Sequence, residues 1–254
     1  MIRGALVVAL AACGSSPSTP HLDSGHGAVD AHLVDAAPHA DATGPDGAPG
    51  PYRHAIAIDG TDDFVPAEVF ATTSSPSYGA RIAWDDTNLY LGYAGPDLDP
   101  TAANASTKWV FAYLDVDPGA GTGAATSLTY NTQHATFPTG FGAEYYLRWK
   151  CDATLASLER FDGTTWAPAT TAPTSAHGTQ YMEMAIARAA IGNPTKLGVV
   201  TWMINEQNLA ESSYAGIYAG NFTDGYAANL ALAKYLRIDF ASAAVPNDPA
   251  NAAP

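Results

Sequence analysis

Residues 79–94 read GARIAWDDTNLYLGYA: two short apolar runs on either side of Asp85-Asp86-Thr87-Asn88. Aspartate and asparagine bond nearby amides and tolerate tight bends, so the quartet marks a hairpin between two strands. The segments around it keep a period near two. KWVFAYLDVD (108–117) is apolar on both faces, as a central sandwich strand is. EYYLRWKC (144–151) alternates, with Glu144, Tyr146, Arg148 and Lys150 on one face and Tyr145, Leu147, Trp149 and Cys151 on the other. LERFDGTTWAPA (158–169) carries a glycine-containing turn between runs ending in Phe161 and Trp166. QYMEMAI (180–186) sets Met182, Met184 and Ile186 against Tyr181 and Glu183, and LGVVTWMINE (197–206) supplies a further strand. The helical candidate is a turn at 188–191, ended by Gly192-Asn193-Pro194. Many short strands at regular spacing predict an all-β fold, an antiparallel β-sandwich with one or two short helical turns at most.

Outside this part the composition changes. Arg3 followed by the apolar run Ala5–Ala12 is too short to span a bilayer and reads as an export signal, residues 1–12. From Gly14 to Pro51 the chain is rich in Ala, Asp, Pro, Gly and His and lacks Lys, Arg and aromatics. Such a stretch buries too little apolar area to offset its ordering entropy, so residues 13–52 are expected to form a disordered spacer. His21, His26, His32 and His39 lie in it at spacings that match no ligand template. Residues 53–245 are expected to form one globular domain, and 246–254, ending PNDPANAAP, a disordered tail.

The chain has 25 Asp and Glu against 11 Lys and Arg, a formal net charge of −14. Its scattered cations make no basic stripe, which argues against nucleic acid as a partner. Cys13 and Cys151 are the two cysteines, too few for a disulfide framework or a thiolate metal site, and Cys151 reads as a small apolar filler. No catalytic set emerges: His134 and His177 have no nucleophile motif beside them, and the expectation is a protein that is not an enzyme. Glu144 and Glu183 are a carboxylate pair that could meet across strands.

YLDVDPGAGTG (113–123) is the most compact set of polar groups. Its G-x-G-x-x-A pattern lacks the amphipathic helix that a phosphate cradle needs. Asp115 and Asp117 share a strand face and could bind structural Ca2+, recruiting Asp97 and Asp99, or Asp85 and Asp86. The spacing is not that of an EF-hand. The other reading is a strand end and a wide turn, with glycines allowing positive φ. For a carbohydrate ligand the useful face is that of Glu144, Tyr146 and Arg148, joined by Trp202, Asn205 and Glu206, because Tyr146 shares its face with charges.

Two resemblances sharpen these expectations. Leu10-Ala11-Ala12-Cys13 resembles the bacterial lipobox, which implies lipidation of Cys13, an anchor in the membrane and a place in the cell envelope. Gly14 after the cysteine favours the outer membrane. The order AIAIDGTDDF, ARIAWDDTNLYLGY, FAYLDVDPGAGTG and MEMAIARAAIG resembles the DOMON-like sandwich superfamily, with family-9 carbohydrate-binding modules nearest. That likeness covers residues 55–206. It implies non-catalytic binding of a carbohydrate, a polysaccharide partner, and for haem-binding relatives a Met and His pair that Met182 and His177 would match. Met182 alternating with Met184 and Ile186 reads instead as core. The unmatched segment 211–240, rich in Tyr and Gly, supports the alternative of a structural or protein-interaction module that docks an envelope protein.

Overall fold

The computed structural model describes residues 49–207 and 211–254. The signal, Cys13 and the spacer up to residue 48 lie outside the described residues. No helix among the described residues is long and apolar enough to cross a membrane.

The first strands are β1 (Val69–Ala71), β2 (Gly79–Trp84), β3 (Asn88–Ala94), β4 (Lys108–Asp115) and β5 (His134–Thr136). Next come β6 (Tyr145–Lys150), β7 (Ala156–Phe161), β8 (Trp166–Pro168), β9 (Thr174–Gly178) and β10 (Tyr181–Ala187). The last are β11 (Lys196–Asn205), β12 (Ser212–Tyr214), β13 (Asn229–Ala231), β14 (Tyr235–Asp239) and β15 (Ala252–Ala253). One antiparallel sheet runs β1-β2-β3-β10-β9, and a larger one runs β15-β14-β11-β4-β6-β7-β8 with β12 also on β11. The fold is an all-β antiparallel sandwich, with helical structure limited to short 3-10 turns such as Arg188–Ile191. The hairpin at 79–94 forms as its residues require. Asp85 accepts the amides of Thr87 and Asn88 at 2.7 Å each and the Tyr90 hydroxyl at 2.7 Å, so one carboxylate ties the whole bend.

Between the sheets lies the main core. Ile82, Trp84, Leu89, Leu91, Met182 and Met184 come from the smaller sheet, and Val110, Leu114, Leu147, Trp149, Val199 and Leu236 from the larger. Side chains of this size stabilise by roughly 1.5–3 kcal/mol each when fully buried. Met182 and Cys151 belong to this core, with the two sulfurs 4.0 Å apart.

The larger sheet is also covered on its outer face. Trp109, Phe111, Tyr113, Tyr146, Val200 and Trp202 pack there against Phe137, Phe141, Leu230 and Leu232. Leu230 lies in β13, which pairs in parallel with β5, and the other three come from the segments that follow those strands. The even apolarity of 108–115 follows: every residue of β4 is buried. On the outer face of the smaller sheet, Glu183 accepts the amides of Asp59 and Gly60 at 2.7 and 2.6 Å and the Tyr181 hydroxyl at 2.9 Å. This fixes the Ile58-Asp59-Gly60 turn and places Glu183 on a different sheet from Glu144, so the two do not form a carboxylate pair.

The C-terminal segment corrects an expectation. Residues 246–254 are not a disordered tail: β15 pairs with β14, and the Asn247 amide donates to the carbonyls of Pro66 and Val69 at 3.0 and 3.1 Å. Its small residues carry no periodicity, but their backbone completes a sheet edge.

Candidate functional site

Strand β6 holds the predicted alternation, yet its outer face is dry at the centre. Tyr146 is 1% exposed and stacks on Tyr113 at 4.4 Å between ring centres, and Tyr113 stacks on Trp202 at 5.7 Å. Tyr146 and Trp202 are therefore core residues and not a solvent-facing sugar platform. The covering loops reach over the middle of the face and leave its ends to the charges. At one end Arg148 pairs with Glu159 at 2.8 Å. Glu206 accepts the Trp109 indole N–H at 3.2 Å, and the Thr107 hydroxyl donates to Asn205 at 3.2 Å. Glu144 stands at the other end, so the six predicted residues do not converge on one site.

Around Glu144 the polar stretch 113–123 closes on itself. Carboxylate oxygens of Asp115, Asp117 and Glu144 lie within 4.8 Å of one another. Asp115 accepts the amides of Asp117 and Gly142, both at 3.0 Å. Glu144 accepts the Val116 amide at 3.0 Å. The Thr122 hydroxyl is 2.7 Å from Asp117 and 2.9 Å from Glu144, and its one proton serves them in turn. No ion pair reaches any of the three among the described residues. Burial first, then the charges of Glu144 and Asp117, push the Asp115 carboxyl up to about 6 against the amides that pull it down. Burial and the Asp117 charge likewise raise Glu144. Such a triad can share protons or surround a hard cation. The glycines serve the backbone here: a Cβ on Gly142 would sit 1.8 Å from the Thr122 carbonyl, and Gly123 has φ +77°.

Asp97 and Asp99 are not part of this group. Asp97 accepts the hydroxyls of Tyr78 and Tyr214 at 2.7 and 2.8 Å and lies 3.4 Å from the Lys108 ammonium. Asp99 caps its own turn through Thr101. Asp85 is spent on its hairpin, and Asp86 pairs with Arg53. The expected second pair of aspartates is replaced by Glu144, which the local spacing could not reveal because it lies just before β6.

Directly beside the triad is a cleft of about 500 Å³ between residues 123–129 and the β7–β8 hairpin. Phe161 and Trp166, register partners in that hairpin with rings 5.2 Å apart, line it half-buried, and Trp166 also meets Tyr113 and Tyr146 edge-on at 5.7 and 5.9 Å. Thr126, Ser127, Thr129 and Thr164 contribute hydroxyl-bearing side chains, and no charged residue lines the cleft. The Asp162 carboxylate holds the hairpin turn through the amides of Thr164 and Thr165 at 2.8 and 2.7 Å. Sequence reasoning found the hairpin and both aromatics but passed over them as turn flanks. The signal was two aromatics paired across a Gly-Thr-Thr turn, with too little apolar sequence around them for full burial.

The remaining sequence candidates are structural. Cys151 is fully buried, and burial pushes its thiol up to about 12. Burial also lowers the His177 pKa, and the ring packs against Trp149 at 5.5 Å.

No family model matches the chain, and no curated protein matches it. The solved structures similar to the chain include two of a carbohydrate binding module family 9 from Caldicellulosiruptor kristjanssonii. The one in complex with cellotriose has 13% identity and a TM-score of 0.39 over 71% of this chain and 91% of that chain. The one in complex with glucose has 15% identity and a TM-score of 0.36 over 71% and 93%. At these values the likeness does not bear on this chain's ligand.

Proposed function

We propose that this chain is a non-catalytic, lipid-anchored protein of the bacterial cell envelope whose sandwich binds a carbohydrate in the Phe161–Trp166 cleft. The observation that carries this is a pair of half-buried aromatic rings lining an uncharged cleft rich in hydroxyl-bearing side chains. Pyranoses present apolar C–H faces to aromatic rings and hydroxyl edges to short polar side chains. The missing charges favour a neutral glycan, since neither a uronate nor an amino sugar would find a partner inside. Calcium at Asp115, Asp117 and Glu144 would stiffen the loop that runs into the cleft wall. Anchoring through Cys13, in the outer membrane, would keep the cleft at the cell surface.

The test is retention of residues 49–254 on a panel of soluble and insoluble polysaccharides, with calcium and with chelator. Wild type should be retained on one neutral glycan class, and both Trp166→Ala and the Thr129→Val/Thr164→Val double variant should elute early. Equal retention of wild type and both variants would remove the cleft. No retention on any glycan would favour the envelope-interaction alternative, whose support is Tyr226, 51% exposed in segment 211–240. Palmitate labelling lost in Cys13→Ala tests the anchor separately.

A further inference from the structure

Accessible surface continues beyond the aromatic rings of the Phe161–Trp166 cleft. Phe161, Glu159 and Ser157 alternate along β7 and so share the outer face of the larger sheet, a row of about 13 Å at 3.3 Å per residue. All three are half-buried, whereas Tyr146, the β6 partner of Glu159, is closed off. The opposite wall keeps pace with this row. It starts beside Glu144, whose carbonyl accepts the Phe161 amide at 2.8 Å, and runs through residues 123–129 into the half-buried Tyr130. The Tyr130 ring meets Phe111 and Trp109 at 5.3 and 6.1 Å, and these are the β4 partners of Arg148 and Lys150. The wall therefore tracks the strands from Phe161 as far as Arg148.

At Arg148 stands a fixed polar group. The guanidinium donates through Nη2 to Glu159 at 2.8 Å and through Nε to the Ser157 hydroxyl at 3.4 Å. Two of its five N–H donors are thereby committed, and the others have no partner among the described residues. The Arg148 side chain is 31% exposed and that of Glu159 12%. Neither end of the row is closed. A Cβ on Gly163, at the hairpin tip, would meet nothing within 4 Å, and Ala153 and Thr154, just before β7, are exposed.

We propose that the cleft and this row form one groove for the interior of a linear neutral glycan, with one unit on Phe161 and Trp166 and a further unit on the Arg148–Glu159 pair. This rests on the carbohydrate reading of the cleft and extends it from one sugar to a chain segment. The ion pair offers donors and acceptors to neighbouring hydroxyls while its charges cancel, which suits a neutral ligand. Because Glu159 and Ser157 already hold the guanidinium fork, little side-chain freedom is lost when a sugar docks. A groove open at both ends lets a chain pass through it, where recognition of a chain end needs a wall across the path.

The experiment is isothermal titration of the full chain with cello-, xylo-, manno- and laminari-oligosaccharides of one to six units. In one series the affinity of wild type should rise about tenfold or more from the disaccharide to the hexasaccharide, and borohydride reduction of the hexasaccharide's end should leave it unchanged. The double variant Arg148→Met/Glu159→Met removes the pair without stranding a charge. It should bind the hexasaccharide no better than wild type binds the disaccharide, with disaccharide affinity unaltered. Trp166→Ala should weaken every length. An affinity equal from disaccharide to hexasaccharide, or lost on reduction of the end, would overturn the extended groove and leave the cleft standing. So would a double variant, folded by circular dichroism, that matches wild type on the hexasaccharide. Wild type that binds no member of any series would overturn the groove and the carbohydrate reading together.

Discussion

Raising the pH from 4 to 7 should cost this fold stability through the carboxylate cluster that ends β4. The folded Asp115 carboxyl is pushed up to about 6 from the ordinary 3.8. The native state therefore holds this proton more tightly than the unfolded chain. The resulting stabilisation is fully present below the ordinary carboxylate range and is lost as pH rises through about 6. At 1.36 kcal/mol per pH unit the difference amounts to about 3 kcal/mol, and screening by water on the open side of the loop reduces it to about 1.5 kcal/mol. Asp115→Asn cannot titrate. It also sets a side-chain NH2 against the amide of either Asp117 or Gly142, a fixed cost of about 1–3 kcal/mol at every pH. The variant should thus be less stable than wild type at pH 4, and the gap should narrow by about 1.5 kcal/mol by pH 7. Because burial raises the Glu144 carboxyl in the same cluster as Asp115, the slope belongs to the pair. Urea denaturation followed by tryptophan fluorescence at four pH values, in low salt with chelator, measures the gap. A constant or widening gap would refute the electrostatic account of Asp115. Calcium reverses the sign: by favouring the ionised carboxylates it should widen the gap at pH 7, with about 2.7 kcal/mol gained by wild type at a hundredfold excess over Kd. A wild-type curve that calcium leaves unmoved would eliminate the metal.

Two further substitutions separate structural from ligand-binding roles. Tyr146→Ala should destabilise the domain by about 3–5 kcal/mol, because it removes the buried ring stacked on Tyr113; a melting temperature near wild type would make Tyr146 an exposed binding residue after all. Glu183→Met should cost about 2–3 kcal/mol, since the Asp59 and Gly60 amides and the Tyr181 hydroxyl all lose their acceptor. Hydrogen exchange should then speed up selectively at Asp59 and Gly60, and exchange unchanged at those two amides would show that the turn holds without the carboxylate.

What was legible in this sequence depends on how far apart the cooperating residues lie. The hairpin at 79–94 was readable because Asp85 does all its bonding within five residues, and the two faces of β6 were readable because a pleated strand alternates whatever surrounds it. Whether a face is wet is a different matter. The cover over Tyr146 comes from Phe137, Phe141, Leu230 and Leu232, held by three-residue strands and single bridges that leave no periodic trace. Charges on the same face as Tyr146 suggested solvent, yet Arg148 and Glu144 sit at its two ends, where that cover runs out. The same limit explains the aspartates. Asp115 and Asp117 were visible as a pair, while their third partner, Glu144, enters only because Gly123 and Gly142 let two backbones approach where no Cβ would fit. The tail taught the converse: residues 246–254 look like a spacer in composition, but a β-edge recruits backbone groups, and those are present in any sequence. Composition therefore identified order where side chains drive it and missed it where main-chain pairing does.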